Sequence, residues 1–169
     1  VTHLLISAAP GTDGDPTLAW HADDIRRLSA LKWVGYLSTT GVYGNTDGAV
    51  VDETAPLRPS SQRSENRVLA ERQWLALFES DGVPVHIFRL PGIYGPGRSA
   101  LDQVAAGKTR RIDKPGHQFS RIHVDDIAEV FARVTLAEKP NHSIYNSGGT
   151  TISLGDLADI VRSFLPDAD

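Results

Sequence analysis

The sequence contains no cysteine and no methionine. Without cysteine there are no disulfides and no thiol chemistry, a pattern compatible with a cytoplasmic enzyme. The missing methionine, absent even at position 1, leads to the expectation that either the N-terminal part of the protein is lacking or modified methionines have been omitted. No apolar run approaches the roughly 20 residues of a membrane span. The chain opens on an apolar strand-like run, so no signal peptide is expected. Charge of either sign is modest: the formal net charge is −4, with 22% charged and 40% hydrophobic residues. That balance gives no basis for a nucleic-acid or anionic-membrane partner. At 169 residues the chain can form one domain with its own core, and no internal repeat or low-complexity segment is evident.

What is present is an alternation of strand and helix patterns. "VTHLLISAAP" reads as a buried strand running into a loop, and Pro16 to about Ala30 as an amphipathic helix with Leu18, Ile25 and Leu28 on its apolar side. "WVGYLS" is a second strand ending at Ser38, followed by a long turn-rich loop from Gly44 to Gln62. The pattern predicts a helix from about Glu65 to Ser80, closed by Gly82, and a third strand in "VPVHIFRL". A short helix near Ser99–Ala106 follows the "PGIYGPG" loop. Asp125 or Asp126 can cap the helix "IAEVFARVTLAE", "SIYNSG" is a short strand, and a final helix is expected from a Ser153 cap with Asp156 completing a capping box. Apolar strands alternating with amphipathic helices predict an α/β fold with a parallel sheet covered on both faces.

In such sheets, ligands bind beyond the carboxyl ends of the strands. Those ends are "SAAP" (Ser7, Ala8, Ala9, Pro10), "STTGVYG" and "PGIYGPG", all built from small, hydroxyl, Gly or Pro residues that let a ligand approach the backbone. Any one of them is explained as a tight turn; three together favour a shared cleft.

"YLSTTGVYG", "DETAPLRPSS", a helix containing "AE", "FRLPGIYGPG" and "RIHVDDIA" occur in that order. Together they resemble the extended short-chain dehydrogenase/reductase superfamily, which includes the NAD-dependent epimerases and dehydratases. The resemblance covers Val1 to about Asn146. It implies a Rossmann-like doubly wound parallel sheet binding NAD or NADP, here without its first strand-helix units. Residues 1–97 would form the C-terminal half of the dinucleotide-binding domain, and residues 98–169 a small substrate-binding region interleaved with the last sheet elements.

Two departures bear on function. The glycine-rich phosphate fingerprint of the family is absent, because the chain begins on what resembles the family's fourth strand, and "PGTDGDP" has the wrong spacing to replace it. The family's Tyr-x-x-x-Lys pair is also absent. Counting back from Ala70-Glu71 places Arg67 at the lysine position and Arg63 at the tyrosine position. Arginine stays protonated and cannot lower a phenol's pKa and exchange protons as that pair does. Arg67 could still donate to the nicotinamide ribose, and Arg63 could bind an anionic substrate; alternatively both are solvent-facing helix charges.

The resemblance implies further roles. Thr39, three residues before the Val of Val-Tyr-Gly and beside Ser38, would hydrogen-bond the reacting carbonyl or hydroxyl; the alternative is a Ser/Thr turn at a strand end. Ser7 to Pro10, Ser38 and Leu90-Pro91-Gly92-Ile93 would line the cofactor. Tyr43 and Tyr94 are packed aromatics with tethered hydroxyls by default, while Tyr43 is also a candidate replacement proton donor and Tyr94, Arg98 and His123 border the substrate region. An isolated histidine is more often a satisfied structural residue than a catalyst, and that is the default for His123. The basic segment Lys108–Arg121 either receives a phosphorylated or nucleotide-linked substrate or is a solvated face. No metal is expected, since Asp125 and Asp126 diverge and lack a third ligand. The expected function is therefore an NAD(P)-dependent epimerase, dehydratase or reductase acting on a small sugar-like or nucleotide-linked molecule. The alternative is a non-catalytic NAD(P)-binding sensor or scaffold. The helices after the second and third strands could also pack in a homodimer.

Overall fold

The computed structural model describes residues 1–108, 118–136, 143–148 and 151–153. The elements in chain order are β1 (His3–Ile6), α1 (Pro16–Arg26), β2 (Trp33–Thr39), α2 (Gln62–Asp81), β3 (Val85–Leu90), β4 (Gly92–Tyr94), α3 (Ala100–Ala105), β5 (Gln118–His123), α4 (Val124–Leu136), β6 (Ser143–Asn146) and β7 (Thr151–Ser153). A single 3₁₀ turn, Thr40–Tyr43, follows β2.

The main sheet has the order β1-β2-β3-β6, and every pairing in it is parallel. Its two faces bury different residues because side chains alternate along each strand. On one face Ile6, Val34, Tyr36, Val85 and Ile87 pack with Ile25 of α1 and Ala70, Trp74 and Leu77 of α2. On the other, Trp33, Phe88 and Leu90 pack with Ile122 and Ile127, the latter from α4. The expected parallel α/β architecture is present. β1 is less buried than its apolar run suggests. It sits at the end of the strand order, so Leu4 and Ile6 face α1 and α2 while Leu5 remains 51% exposed on the opposite face.

Several boundaries differ from the sequence expectations. α1 ends at Arg26 rather than near Ala30: Leu28 N–H bonds Ile25 O and Leu31 N–H bonds Leu28 O. This tightening to three-residue spacing turns the chain into β2, and Lys32 N–H reaches Thr2 O. α2 starts earlier than Glu65, because the Ser61 hydroxyl accepts from Ser64 N–H and caps it there. Its other end is as expected, with Gly82 in the left-handed conformation at φ 69°. Asp125 and Asp126 do not cap α4. β5 runs directly into the helix at Val124, placing both carboxylates in the first turn, where the helix dipole favours them.

The "PGIYGPG" loop contains β4, which pairs parallel with β5; β5 in turn pairs antiparallel with β7. This second, three-stranded sheet was not foreseen. The expected final helix beyond Ser153, and residues 109–117 of the basic segment, lie outside the described residues.

Candidate active site at the strand ends

β2 delivers Ser38 and Thr39 to its carboxyl end, where the main-chain register sets Ser38 opposite Arg89 and Thr39 opposite Leu90 of β3. The two hydroxyls then diverge. Ser38 points into the α2 side and donates to Glu71 Oε1, and both residues are buried. Thr39 is half-buried. Its Oγ1 accepts from Gly41 N–H at 3.1 Å and caps the 3₁₀ turn, as the Ser/Thr-turn alternative anticipates. Thr39 donates to no acceptor among the described residues, so its hydroxyl hydrogen is available to a ligand.

Arg67 occupies the inner side of α2. Its Nη1 donates to Leu37 O at 2.7 Å and to Tyr36 Oη at 3.1 Å, with a longer contact of 3.5 Å to Ala8 O. The guanidinium thus bridges the ends of β1 and β2, directly beside the exposed Ser7, Ala8 and Ala9. Pro10 is half-buried. Burial pushes the Tyr36 phenol up to about 12, against the opposing pull of the Arg67 cation. Arg63, one turn earlier, is exposed and makes no hydrogen bond among the described residues.

Tyr43 takes the packed-aromatic role. It is buried, donates to Asn146 Oδ1 at 2.7 Å, accepts from Arg89 Nη1 at 2.7 Å, and lies 5.0 Å below the Arg89 guanidinium carbon. Arg89 completes a network that the sequence did not announce. Its Nη2 donates to Glu71 Oε2 at 2.8 Å, its Nε bridges both Glu71 oxygens, and Nη1 also reaches Glu53 O. Asn146 N–H in turn donates to Glu53 Oε1 at 2.6 Å, so the long loop after the 3₁₀ turn is fastened to the ends of β3 and β6. The available signals were an acid in the apolar stripe of α2 and an arginine inside "VHIFRL".

The remaining predicted residues fall into two groups. Leu90 and Pro91 are buried, whereas Gly92 is exposed and Ile93 half-buried. Gly92 and Tyr94 pair with Arg121 and His123 across β4 and β5. The Tyr94 and His123 rings meet edge to face at 5.1 Å, and His123 Nδ1 accepts from Asp125 N–H at 3.3 Å. Arg98 is exposed in the turn before α3. The sites around Thr39 and around Tyr94–His123 are thus borne by different sheets. Among the described residues no group of three or more His, Cys, Asp or Glu could hold a metal ion. No described helix is long and apolar enough to cross a membrane.

A parallel α/β sheet with small and hydroxyl residues at its carboxyl ends defines a Rossmann-like domain. Residues 23–148 match the NAD dependent epimerase/dehydratase family, and the chain belongs to that family. It is 36% identical over 112 residues to Protein YeeZ of Escherichia coli (strain K12), a match covering 66% of this chain and 38% of YeeZ. A functionally unknown conserved protein from Silicibacter pomeroyi DSS has a structure of TM-score 0.90 at 48% identity, over 98% of this chain and 58% of that one. The dTDP-glucose 4,6-dehydratase of Bacillus anthracis str. Ames, solved in complex with NAD, shares the fold with a TM-score of 0.84 at 21% identity, over 98% of this chain and 57% of that one. The chain therefore spans well under two thirds of the length of each of these proteins.

Proposed function

We propose that the full-length protein is an NAD(P)-dependent epimerase, dehydratase or reductase of an atypical extended short-chain type, acting on a sugar-like or nucleotide-linked substrate. The observation that carries this reading is the Thr39 hydroxyl. It stands at the carboxyl end of β2, accepts from Gly41 N–H, and keeps its own hydrogen for a substrate oxygen. Family membership and the NAD-bound dehydratase of the same fold support the cofactor assignment.

The residues present fit the nicotinamide half of such a cofactor. No side chain larger than proline stands at the end of β1, where Ser7, Ala8 and Ala9 are exposed and leave the backbone approachable. Arg67, held at the same edge by Leu37 O, would donate to a ribose, and the segment from Leu90 to Ile93 would line the far side. When bound, the nicotinamide supplies hydride transfer. The protein's own part is to orient the substrate and to polarise its oxygen through Thr39. Tyr94, Arg98 and His123 would face the remainder of the substrate.

A second reading, a cofactor-binding sensor or scaffold without catalysis, is favoured by one observation. Tyr43 has both its donor and an acceptor position committed, and Arg63 stands where the family has its proton-exchanging tyrosine. The test is to measure cofactor binding and turnover by the full-length protein, with NADH and NADPH and a panel of carbonyl compounds and nucleotide sugars. Turnover supports the enzyme; cofactor binding with none across the panel supports the sensor. Failure to bind either nucleotide sinks both readings.

A further inference from the structure

The missing phenol leaves open what, besides Thr39, would hold a substrate oxygen. Ser64 lies in the first turn of α2, and its hydroxyl accepts from the Ser61 hydroxyl at 3.0 Å. Like Thr39, it donates to no acceptor among the described residues. The two hydroxyls converge on one glycine. A β-carbon built on Gly41 would lie 3.0 Å from Ser64 Oγ and 3.4 Å from Thr39 Oγ1. Both side chains are half-buried, so the space between them is reachable yet partly shielded from solvent. A hydroxyl that already accepts a hydrogen bond is turned toward donation, and its donor strength is raised by the bond it accepts.

We propose that Thr39 and Ser64 form a two-hydroxyl donor site across Gly41 that binds the carbonyl oxygen of the substrate, with Ser64 as a substrate-contacting residue in its own right. The inference rests on the reading of Thr39 as a substrate hydroxyl and deepens it. Two neutral donors to one carbonyl oxygen would hold it and draw negative charge toward it, orienting the carbonyl. Neither exchanges a proton near neutral pH, so the site accounts for carbonyl polarisation without the phenol–lysine pair.

The experiment uses the full-length protein and 2,2,2-trifluoroacetamide as a small carbonyl probe, followed by fluorine NMR with and without saturating NADH. Wild type should bind the probe. Ser64→Ala and Thr39→Val should each weaken binding about fivefold, the scale of one lost hydrogen bond. The urea denaturation midpoint of each variant, measured alongside, should stay close to wild type, which guards against loss of folding as the cause. If wild type fails to bind the probe, or Ser64→Ala binds it as wild type does, the two-hydroxyl site is wrong. Should NADH not bind while the probe still responds to Ser64→Ala and Thr39→Val, the cofactor reading fails and the hydroxyl pair stands.

Discussion

Arg89 and Glu71 form a buried ion pair at the carboxyl end of the sheet, with Arg89 Nη2 donating to Glu71 Oε2 at 2.8 Å and both side chains at most 3% exposed. Taking two charges out of water is costly, and the arrangement is tolerable because nearly every polar atom has a partner. Ser38 serves one Glu71 oxygen, and Tyr43 and Glu53 O serve the other arm of Arg89. Although burial alone would depress it, the Arg89 guanidinium is raised above its ordinary value by Glu71 and Tyr43. The pair ties α2 to β3 at the register position of Ser38, the residue next to Thr39.

Removing one partner leaves an uncompensated buried charge. Glu71→Ala and Arg89→Ala should each destabilise the protein by about 3–5 kcal/mol, read by urea denaturation. Ser38→Ala, which deletes one hydrogen bond to the carboxylate, should lose only about 1–3 kcal/mol. Equal losses for Ser38→Ala and Glu71→Ala would argue against the pair as the centre of the network.

Tyr36 gives the protein a defined alkaline limit. Its phenol is pushed up to about 12 in the folded state from an ordinary value of 10. A raised folded value means that the folded state holds this proton more tightly. The associated stability is present below pH 10 and is lost as the pH climbs from about 10 to 12, by on the order of 2–3 kcal/mol. Denaturation midpoints measured across that window should fall in wild type and fall less in Tyr36→Phe.

Two glycines that share a positive φ should respond differently to alanine. Gly82, at φ 69° and ψ 17°, is left-handed, whereas Gly44, at φ 70° and ψ −144°, sits in a region that is essentially glycine's alone. A β-carbon on Gly44 would lie 2.0 Å from the Arg58 carbonyl oxygen, whereas one on Gly82 meets nothing within 4 Å. Gly82→Ala therefore bears only the conformational cost, about 1 kcal/mol. Gly44→Ala must also displace the long loop, and a loss of at least about 3 kcal/mol is expected. Comparable losses in the two variants would mean that the loop yields freely.

Arg67 bridges the ends of β1 and β2 through Ala8 O and Leu37 O. Arg67→Met should cost about 1–3 kcal/mol of stability, since Leu37 O and the Tyr36 hydroxyl lose their donor. It should also weaken NADH binding by the full-length protein by about tenfold, measured by fluorescence titration. Unchanged NADH affinity in a folded variant would restrict Arg67 to a structural role.

The sequence carried the main sheet well and the site only in part. β2 and β3 are legible because their buried stretches are largely apolar, β1 and β6 from short runs at the sheet's edges, and Gly82 marks the end of α2. β4 was hidden because three residues among Gly and Pro carry no periodicity, and it exists through its pairing with β5. The place of Thr39 at the carboxyl end of β2 was legible from the strand pattern that ends before Val-Tyr-Gly. Ser64 was not, because its relation to Thr39 depends on the approach of the α2 N-terminus to Gly41, a contact across 23 positions of sequence. The Glu71–Arg89 pair was similarly invisible: charged residues in apolar stretches signal a partner without saying which one.

The central claim is that Thr39 polarises a substrate oxygen in a nicotinamide-dependent reaction. The most direct measurement is steady-state turnover of the full-length wild type and of Thr39→Val, with NADH and NADPH, on any carbonyl compound or nucleotide sugar the wild type accepts. The account predicts that kcat falls by about 100-fold in Thr39→Val while the denaturation midpoint and cofactor affinity stay close to wild type. Turnover undiminished in that variant would contradict it.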